Sequence, residues 1–506
     1  MSNMDTRRTT LIRNFALSTL SLVVTGVAHA QLQKQGAFQR LKEMVENRAK
    51  VSAFAVNLRT GEILGQLNPD ERLTPASVSK IVIAAAALEK FGAEHSFKTG
   101  LYATGPVQGG VLKGDLVFLG AGDPYLTNEK LWFLATDVAR AGIREVSGHL
   151  VVNSGLFQIL DAGIDRKLAQ KSSRHAYDSP LSAAAVNFSV MGFVVSPGQK
   201  NGDKANLALE PHSLATSRIE GRVVTNSGSG SRVSVTRTRR GSKDVFTASG
   251  SIGHLSSPVR VYRSVSDPDE YAGSVLRAFL EKDGVKIRKG VRVESELRKD
   301  YGRNVATVEG FPLGWQLLGL FKVSNNFIGD MLTLQLDTTS RQIRAATLRG
   351  GAEKLESYAK DVVAAAPQPY RSDVQGLALS SGSGLTHQNR MSARDVVAVL
   401  QRMYSNTREF PAFLSALPVP GAEGTVKNRF ASRNTSHLRD RLRAKTGTLS
   451  EPRDAVGLAG YSRLASGDWI AFCTIVNGSD KNPSVGIESA RRTIDEDLGE
   501  LLPAEL

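Results

Sequence analysis

The string TPASVSKIVIAAAALEKFG occupies residues 74–92, and its reading decides the fold. Thr74 suits a helix N-cap and Pro75 the first helical position, where a missing N–H costs nothing. From Ile81 to Leu88 the run is apolar all round, and it stops near Gly92. A helix with no polar face belongs in the middle of a domain, covered on every side. Yet this one opens on Ser77-Val78-Ser79-Lys80. Residues three apart share a helix face, so Lys80 can sit beside the Ser77 hydroxyl. Serine is a poor nucleophile without a base in reach, and a lysine whose pKa is lowered by burial and nearby cations can be that base. First-turn N–H groups favour negative charge at the same place. Ser79 lacks this geometry, because its lysine is adjacent. Alone, Ser-x-x-Lys is a frequent chance pattern, an ordinary helix start with a surface lysine.

Working outward, Ala37 to Ala49 has helical spacing. Val51 to Asn57, the turn Arg59-Thr60-Gly61 and Glu62 to Leu67 read as a β-hairpin. From about Lys98 to Glu296 short β-like runs alternate with Gly and Ser turns: Val111–Leu119, Gly148–Val152, Ala205–Leu209, Arg222–Thr225 and Arg232–Thr238. Asn226 to Ser231 is a Gly/Ser loop tip, and one helix is expected at Glu270–Lys282. Leu313–Leu336 and Ser392–Tyr404 are helical in pattern. Three strand-like runs follow, Leu438–Thr446, Ala455–Ser462 and Trp469–Val476, then an amphipathic helix over Ser484–Leu502. Its polar side, with Arg491, Arg492, Asp495, Glu496 and Asp497, suits docking on the sheet better than a membrane. The pattern predicts an α+β protein. The first hairpin and last three strands form one antiparallel sheet with helices on both faces, and the mostly β middle is an excursion from it.

Arg7, Arg8 and Arg13, the apolar stretch Phe15–Val27 and Ala28-His29-Ala30 read as an export signal cleaved near Ala30. The alternative is an uncleaved anchor, but the apolar run is short for a span. Arg7-Arg8 is an incomplete twin-arginine pattern, so the export route stays open. Removing residues 1–30 leaves 476, enough for two or three domains, and no other stretch is apolar enough to span a bilayer. The formal charge is +15, and about +13 without the first 30 residues, which carry three Arg and one Asp. A basic surface favours polyanions, but no Lys/Arg run is interleaved with aromatics, which argues against nucleic acid. Cys473, the single cysteine, lies in an apolar run and reads as a buried strand position. Eight scattered histidines without paired spacing argue against a catalytic metal.

Two further motifs give the first its weight. In Ser324-Asn325-Asn326, Ser324 can relay a proton to a leaving nitrogen and Asn326 can hold a substrate carbonyl; taken alone, it is an ordinary helix cap. In Lys445-Thr446-Gly447-Thr448, the lysine and the Thr446 hydroxyl suit a substrate carboxylate. Gly447 admits a substrate backbone, and the Thr448 N–H can complete an oxyanion hole with that of Ser77. Ser-x-x-Lys, Ser-x-Asn and Lys-Thr-Gly stand in the order and contexts such a site requires.

With Gly120-Ala-Gly-Asp-Pro124, Ala185-Val-Asn187 and Gly382-Ser-Gly-Leu385, the chain from about Gly36 onward resembles the D-alanyl-D-alanine carboxypeptidase/endopeptidase family, the low-molecular-mass class C penicillin-binding proteins. The resemblance implies a transpeptidase/β-lactamase-like domain carrying a large two-domain insert. The expected division is 1–30 signal peptide, 31–95 and 300–506 catalytic domain, 96–190 and 260–299 insert, and 191–259 a nested β-rich insert. It implies Ser77 as nucleophile, Lys80 as base, Ser324 and Asn326 as second motif, and Lys445 with Thr446, Gly447 and Thr448 as third. It implies hydrolysis of D-Ala-D-Ala ends or D-Ala–diamino acid cross-links of peptidoglycan, acylation by penicillins and other β-lactams, no cofactor or metal, and a periplasmic address. Asn325 and Ser381 stand where relatives carry Asp. So does Asn153, where the acid would receive a diaminopimelate ammonium. A serine β-lactamase shares the motifs but is normally much shorter; an inactive wall-binding protein on the same fold is the non-enzyme alternative. Oligomeric state is not legible.

Overall fold

The computed structural model describes residues 37–159, 176–210, 216–339 and 344–503. The expected signal peptide lies outside them. The chain opens with α1 (Gln39–Glu46), β1 (Lys50–Asn57) and β2 (Ile63–Leu67). A 3₁₀ turn at Ala76–Ser79 then leads into α2 (Lys80–Phe91).

The excursion begins with β3 (Lys98–Ala103), β4 (Leu116–Leu119), α3 (Asn128–Arg140) and β5 (Leu150–Asn153). A β-rich run follows: β6 (Val190–Ser196), β7 (Asn206–Glu210), β8 (Ser217–Asn226), β9 (Ser231–Arg240), β10 (Lys243–Gly253) and β11 (Val259–Ser264). α4 (Pro268–Lys282), β12 (Val291–Glu294) and β13 (Arg303–Glu309) lead back. The remainder is α5 (Leu313–Lys322), α6 (Asn326–Leu336), α7 (Leu348–Ala365), α8 (Ala393–Ser405), β14 (Leu442–Leu449), β15 (Ala455–Arg463), β16 (Trp469–Asn477) and α9 (Ile487–Leu501).

The central sheet runs β2-β1-β16-β15-β14, antiparallel throughout, so the first hairpin meets the last three strands as expected. Phe54 and Val56 of β1 join a core with α2, α5, α6, α7 and α8. Val51, Ala53 and Ala55, pointing the other way, pack with α1 and α9. Both faces are therefore covered, and β1 and β16 read as near-continuous apolar runs. Cys473 is wholly buried in β16.

The excursion holds its own core. Its main sheet, β12-β5-β4-β3-β13, is mixed, and β8-β10-β9 and β7-β6-β11 are three-stranded sheets. β13 belongs to that main sheet, beyond the expected boundary at 299.

Several expectations are corrected. Among the described residues the middle holds two helices where one is expected: Leu131, Leu134, Ala135 and Val138 of α3 form a buried helical stripe. The run 313–336 is two helices, broken where Ser324 takes φ +56. The strand expected from Leu438 begins at Leu442. Thr74 is not an N-cap. Asn477 of β16 holds its backbone N–H and carbonyl at 2.8 and 3.0 Å, and Arg390 donates to its hydroxyl. As expected, α9 docks on the sheet: Ala490, Ile494 and Leu498 pack against it, and of its polar side Asp495 pairs with Arg429 at 2.6 Å while the buried Asp497 carboxylate accepts the Arg40 and Leu41 N–H groups at the start of α1.

Candidate active site

Ser77 lies in the 3₁₀ turn, and Lys80 begins α2. In a 3₁₀ turn residues three apart nearly eclipse, which brings this pair closer than an α-helix would. Ala76 just before it takes φ +49, a left-handed conformation costing a non-glycine residue about 1 kcal/mol or more. The turn is held from three sides. Gly384 passes so close that a Cβ there would lie 2.0 Å from the Ala76 carbonyl oxygen. Gly447 of β14 passes so close that a Cβ would lie 2.6 Å from that of Pro75. The buried Asn389 amide donates to the Ser79 hydroxyl at 2.9 Å and to the Ser381 carbonyl at 2.8 Å.

The Lys80 ammonium, wholly buried, donates to Ser77 Oγ at 3.0 Å, to Asn326 Oδ1 at 2.8 Å and to the Ser383 carbonyl. Lys445 Nζ, also wholly buried, donates to Ser324 Oγ at 2.9 Å and to the Thr446 carbonyl at 2.6 Å. Burial, and then the nearby Lys80 charge, hold the Lys445 pKa well below the usual lysine range. The fold thus brings all three motifs to one place. Ser77, Ser324, Thr446 and Thr448 line a cleft of about 660 Å³, whose other wall is Asn428–Ser432 and the polar face of α9. Lys80, Asn326, Lys445 and Gly447 stand behind or beside those four.

Two departures acquire reasons. Asn325 caps α6, its Oδ1 accepting from the Ile328 N–H at 3.2 Å, work an Asp carboxylate does equally well. Ser381 donates its hydroxyl to buried Asp330 at 2.9 Å, so an acid at 381 would face a like charge. Asn153, whose neutral amide weakens the case for a diaminopimelate ammonium, is wholly buried in β5, donating to the Glu296 carbonyl at 2.9 Å and accepting from Gly155 N–H at 3.1 Å, so it braces the insert.

Three contributors escaped the sequence reading. Asn389 clamps the turn; Thr425 accepts from the Thr446 hydroxyl at 2.7 Å. Arg491 donates to Thr448 Oγ1 at 3.0 Å. Only Arg491 left a trace, as a cation on the polar stripe of a terminal helix. Among the described residues no His/Cys/Asp/Glu group is placed to hold a metal ion.

A sheet buried on both faces, with one serine beside a lysine on its covering helix and a second lysine on its edge strand, defines the class of penicillin-binding serine peptidases, which act through an acyl-enzyme. The comparisons narrow this. Residues 38–497 match the model of the D-Ala-D-Ala carboxypeptidase 3 (S13) family, and the chain belongs to that family, in which serine catalysis is general. A D-alanyl-D-alanine carboxypeptidase of Actinomadura sp. is 28% identical over 86% of this chain and 79% of its own length. One from Haemophilus influenzae is 22% identical over 87% of each. The crystal structure of penicillin binding protein 4 from Haemophilus influenzae superposes with a TM-score of 0.71 at 22% identity, covering 95% of this chain and 99% of that one.

Proposed function

We propose that Ser77 is the nucleophile of a DD-peptidase acting on D-Ala-D-Ala ends, or D-alanyl cross-links, of periplasmic peptidoglycan. The observation carrying this reading is the 3.0 Å contact of Lys80 Nζ with Ser77 Oγ, in the cleft that also holds Ser324 against Lys445. Lys80, in its neutral form, takes the Ser77 proton as Oγ attacks the carbonyl carbon of the penultimate D-alanine. The tetrahedral oxyanion lies between the N–H groups of Ser77 and Thr448. Lys80 then hands the Ser77 proton through Ser324, backed by Lys445, to the leaving nitrogen, the C–N bond breaks, D-alanine departs with a neutral amine, and Lys80 is neutral again. Water then attacks the ester, its proton returning through the same lysine, and Ser77 is released as the hydroxyl. Asn326 holds a substrate amide group, and Thr446 with Lys445 receives the substrate carboxylate.

A β-lactam presents a carbonyl to the same serine but keeps its leaving amine tethered, so the acyl-enzyme persists. Haemophilus influenzae penicillin binding protein 4 has a crystal structure complexed with a β-lactam, which supports extending penicillin binding to this chain. The test is D-alanine release from a soluble pentapeptide together with covalent labelling by penicillin. Ser77→Ala is expected to abolish both. Equal release by both proteins would remove Ser77 from this role, and rapid turnover of penicillin would favour a β-lactamase. Digestion of wall muropeptides, with mass analysis, separates carboxypeptidase from endopeptidase products.

A further inference from the structure

Arginines recur along β9, and the two sides of the strand treat them differently. Arg237 and Arg239 point inward and are tied down, Arg237 to the Ser264 carbonyl at 2.7 Å and Arg239 to Glu270 of α4 at 2.7 Å. Arg232 points outward, is exposed, and has no polar partner among the described residues. Arg222 of β8 is in the same state. The register sets Arg222 beside Ser249 and Arg232 beside Ser251. The two guanidiniums thus stand on opposite edge strands, roughly 10 Å apart across the sheet, with the Ser249 and Ser251 hydroxyls on the strand between them. Arg218, Arg240 and Lys243 extend this face, and Glu220, shared by Arg218 and Arg240, is its one carboxylate among the described residues. Five cations therefore stand against one carboxylate. Among the described residues no large apolar side chain is exposed on the face: Leu255 lies beyond the end of β10, and Tyr262 on β11 belongs to another sheet.

We propose that this face is a second binding surface for the wall polymer, holding its free peptide carboxylates while the Ser77 cleft works on another end of the same polymer. The proposal rests on the reading of peptidoglycan as substrate. Each uncross-linked D-alanyl end carries a carboxylate before and after hydrolysis, so the polymer is a polyanion whose charge survives the reaction. A guanidinium matches a carboxylate edge with paired N–H donors, and serine and threonine hydroxyls can meet sugar hydroxyls and amides. At physiological salt the attraction reaches only about 8 Å, so binding is the sum of several short-range contacts. A lipid surface calls for apolar side chains that insert below the headgroups, and this face exposes none. No bond is made or broken here. The surface raises the local concentration of chain ends at the cleft and leaves the chemical step alone.

The test uses the full-length protein with purified wall sacculi, freed of protein and lipid, and with a soluble pentapeptide. Wild type is expected to sediment with sacculi in low salt and to be released by about 0.5 M salt, where screening is far stronger. Arg222→Glu combined with Arg232→Glu is expected to weaken that retention by at least about tenfold and to slow D-alanine release from sacculi. Pentapeptide turnover and penicillin labelling should stay unchanged. Arg222→Gln with Arg232→Gln should fall between wild type and the Glu pair, as electrostatic binding requires. Equal loss in both pairs would make the two arginines structural supports and overturn the proposal. Retention that ignores salt, or that survives in the Glu pair, would overturn it too. Phosphatidylglycerol vesicles form the second arm: retention on them as strong as on sacculi, and lost in the same variants, would assign the face to a membrane instead. If wild type turns over the pentapeptide but does not hold sacculi, this surface falls and the nucleophile stands. If it holds sacculi with this charge dependence while Ser77→Ala releases D-alanine as fast as wild type, the nucleophile falls and the surface stands.

Discussion

The central sheet and the β8-β10-β9 sheet of the excursion are both three or more strands wide, yet they are built to opposite rules. In β16 eight of nine residues are buried; in β9 only Val235 is. The register puts Arg232, Ser234, Thr236, Thr238 and Arg240 on one bare face, beside Ser249 and Arg222. The inner residues Val223, Val235, Phe246 and Ile252 pack beneath. Residues 190–264 carry eleven Lys/Arg against four Asp/Glu, a net +7 of the chain's +15. Much of the basic character that sequence alone reported therefore belongs to the β-rich run 190–264, remote in sequence from all three motifs. The lesson is one of tolerance. Around Ser77 the backbone itself is wedged, so chemistry depends on packing; on the outer sheet a side chain mostly meets water.

Two glycines test this contrast directly. Gly384 has φ +74 and leaves no room beside Ala76 O; Gly228, in the excursion, has φ +88 and nothing within 4 Å of a Cβ. Gly384→Ala should cost roughly 3–5 kcal/mol in chemical denaturation and displace the Ser77 turn, slowing penicillin labelling. Gly228→Ala should cost only about 1 kcal/mol, the left-handed penalty alone, without touching labelling. Equal costs would break the comparison.

Asp123, in the Gly-Ala-Gly-Asp-Pro segment, sharpens it at the junction of the two regions. Its carboxylate is almost wholly buried; one oxygen accepts from Tyr125 N–H and Gln316, and the other has no partner among the described residues. Burial pushes its pKa up to about 6. A raised carboxyl contributes stability that is fully present below its ordinary value and is lost as pH rises through about 6. The loss is about 3 kcal/mol across that window. Asp123→Asn should flatten the pH dependence of stability between pH 4 and 7; an unchanged slope would refute the assignment.

Lys445→Met should lower kcat/KM on the pentapeptide by roughly 100-fold, about 2.7 kcal/mol, while leaving stability equal or raised, because a buried charge is removed from an apolar-sized space. The lysine's depressed pKa means the folded chain binds fewer protons than the unfolded one below the ordinary lysine range. Wild-type stability therefore rises with pH in that window, and the variant should lose that slope. A large loss of stability would show that Lys445 is structural. The Gly228→Ala effect remains the smallest of the four.

The fold was legible where local pattern and burial agree. The α2 helix, the β1–β2 hairpin and the three last strands are apolar runs bounded by turns, and these need no distant information. α3 was missed although its stripe of Leu131, Leu134, Ala135 and Val138 is present in the sequence, because surrounding short β-like runs drew the reading. The break between α5 and α6 was read through. A positive φ at a serine is unfavourable locally and is held only by its surroundings.

The sequence by itself determined the three motifs, their order and the elements that carry them, since Ser-x-x-Lys and Lys-Thr-Gly derive their geometry from neighbours a few residues away. The tertiary structure alone decided what surrounds them: Asn389 on the Ser79 hydroxyl, Asp330 answering Ser381, Asn153 sealed inside the insert, and Arg491 against Thr448. Those partners are tens to hundreds of residues apart. A hydrogen bond's value is fixed by sub-ångström distance and by exclusion of water, and neither is written in the local order of residues.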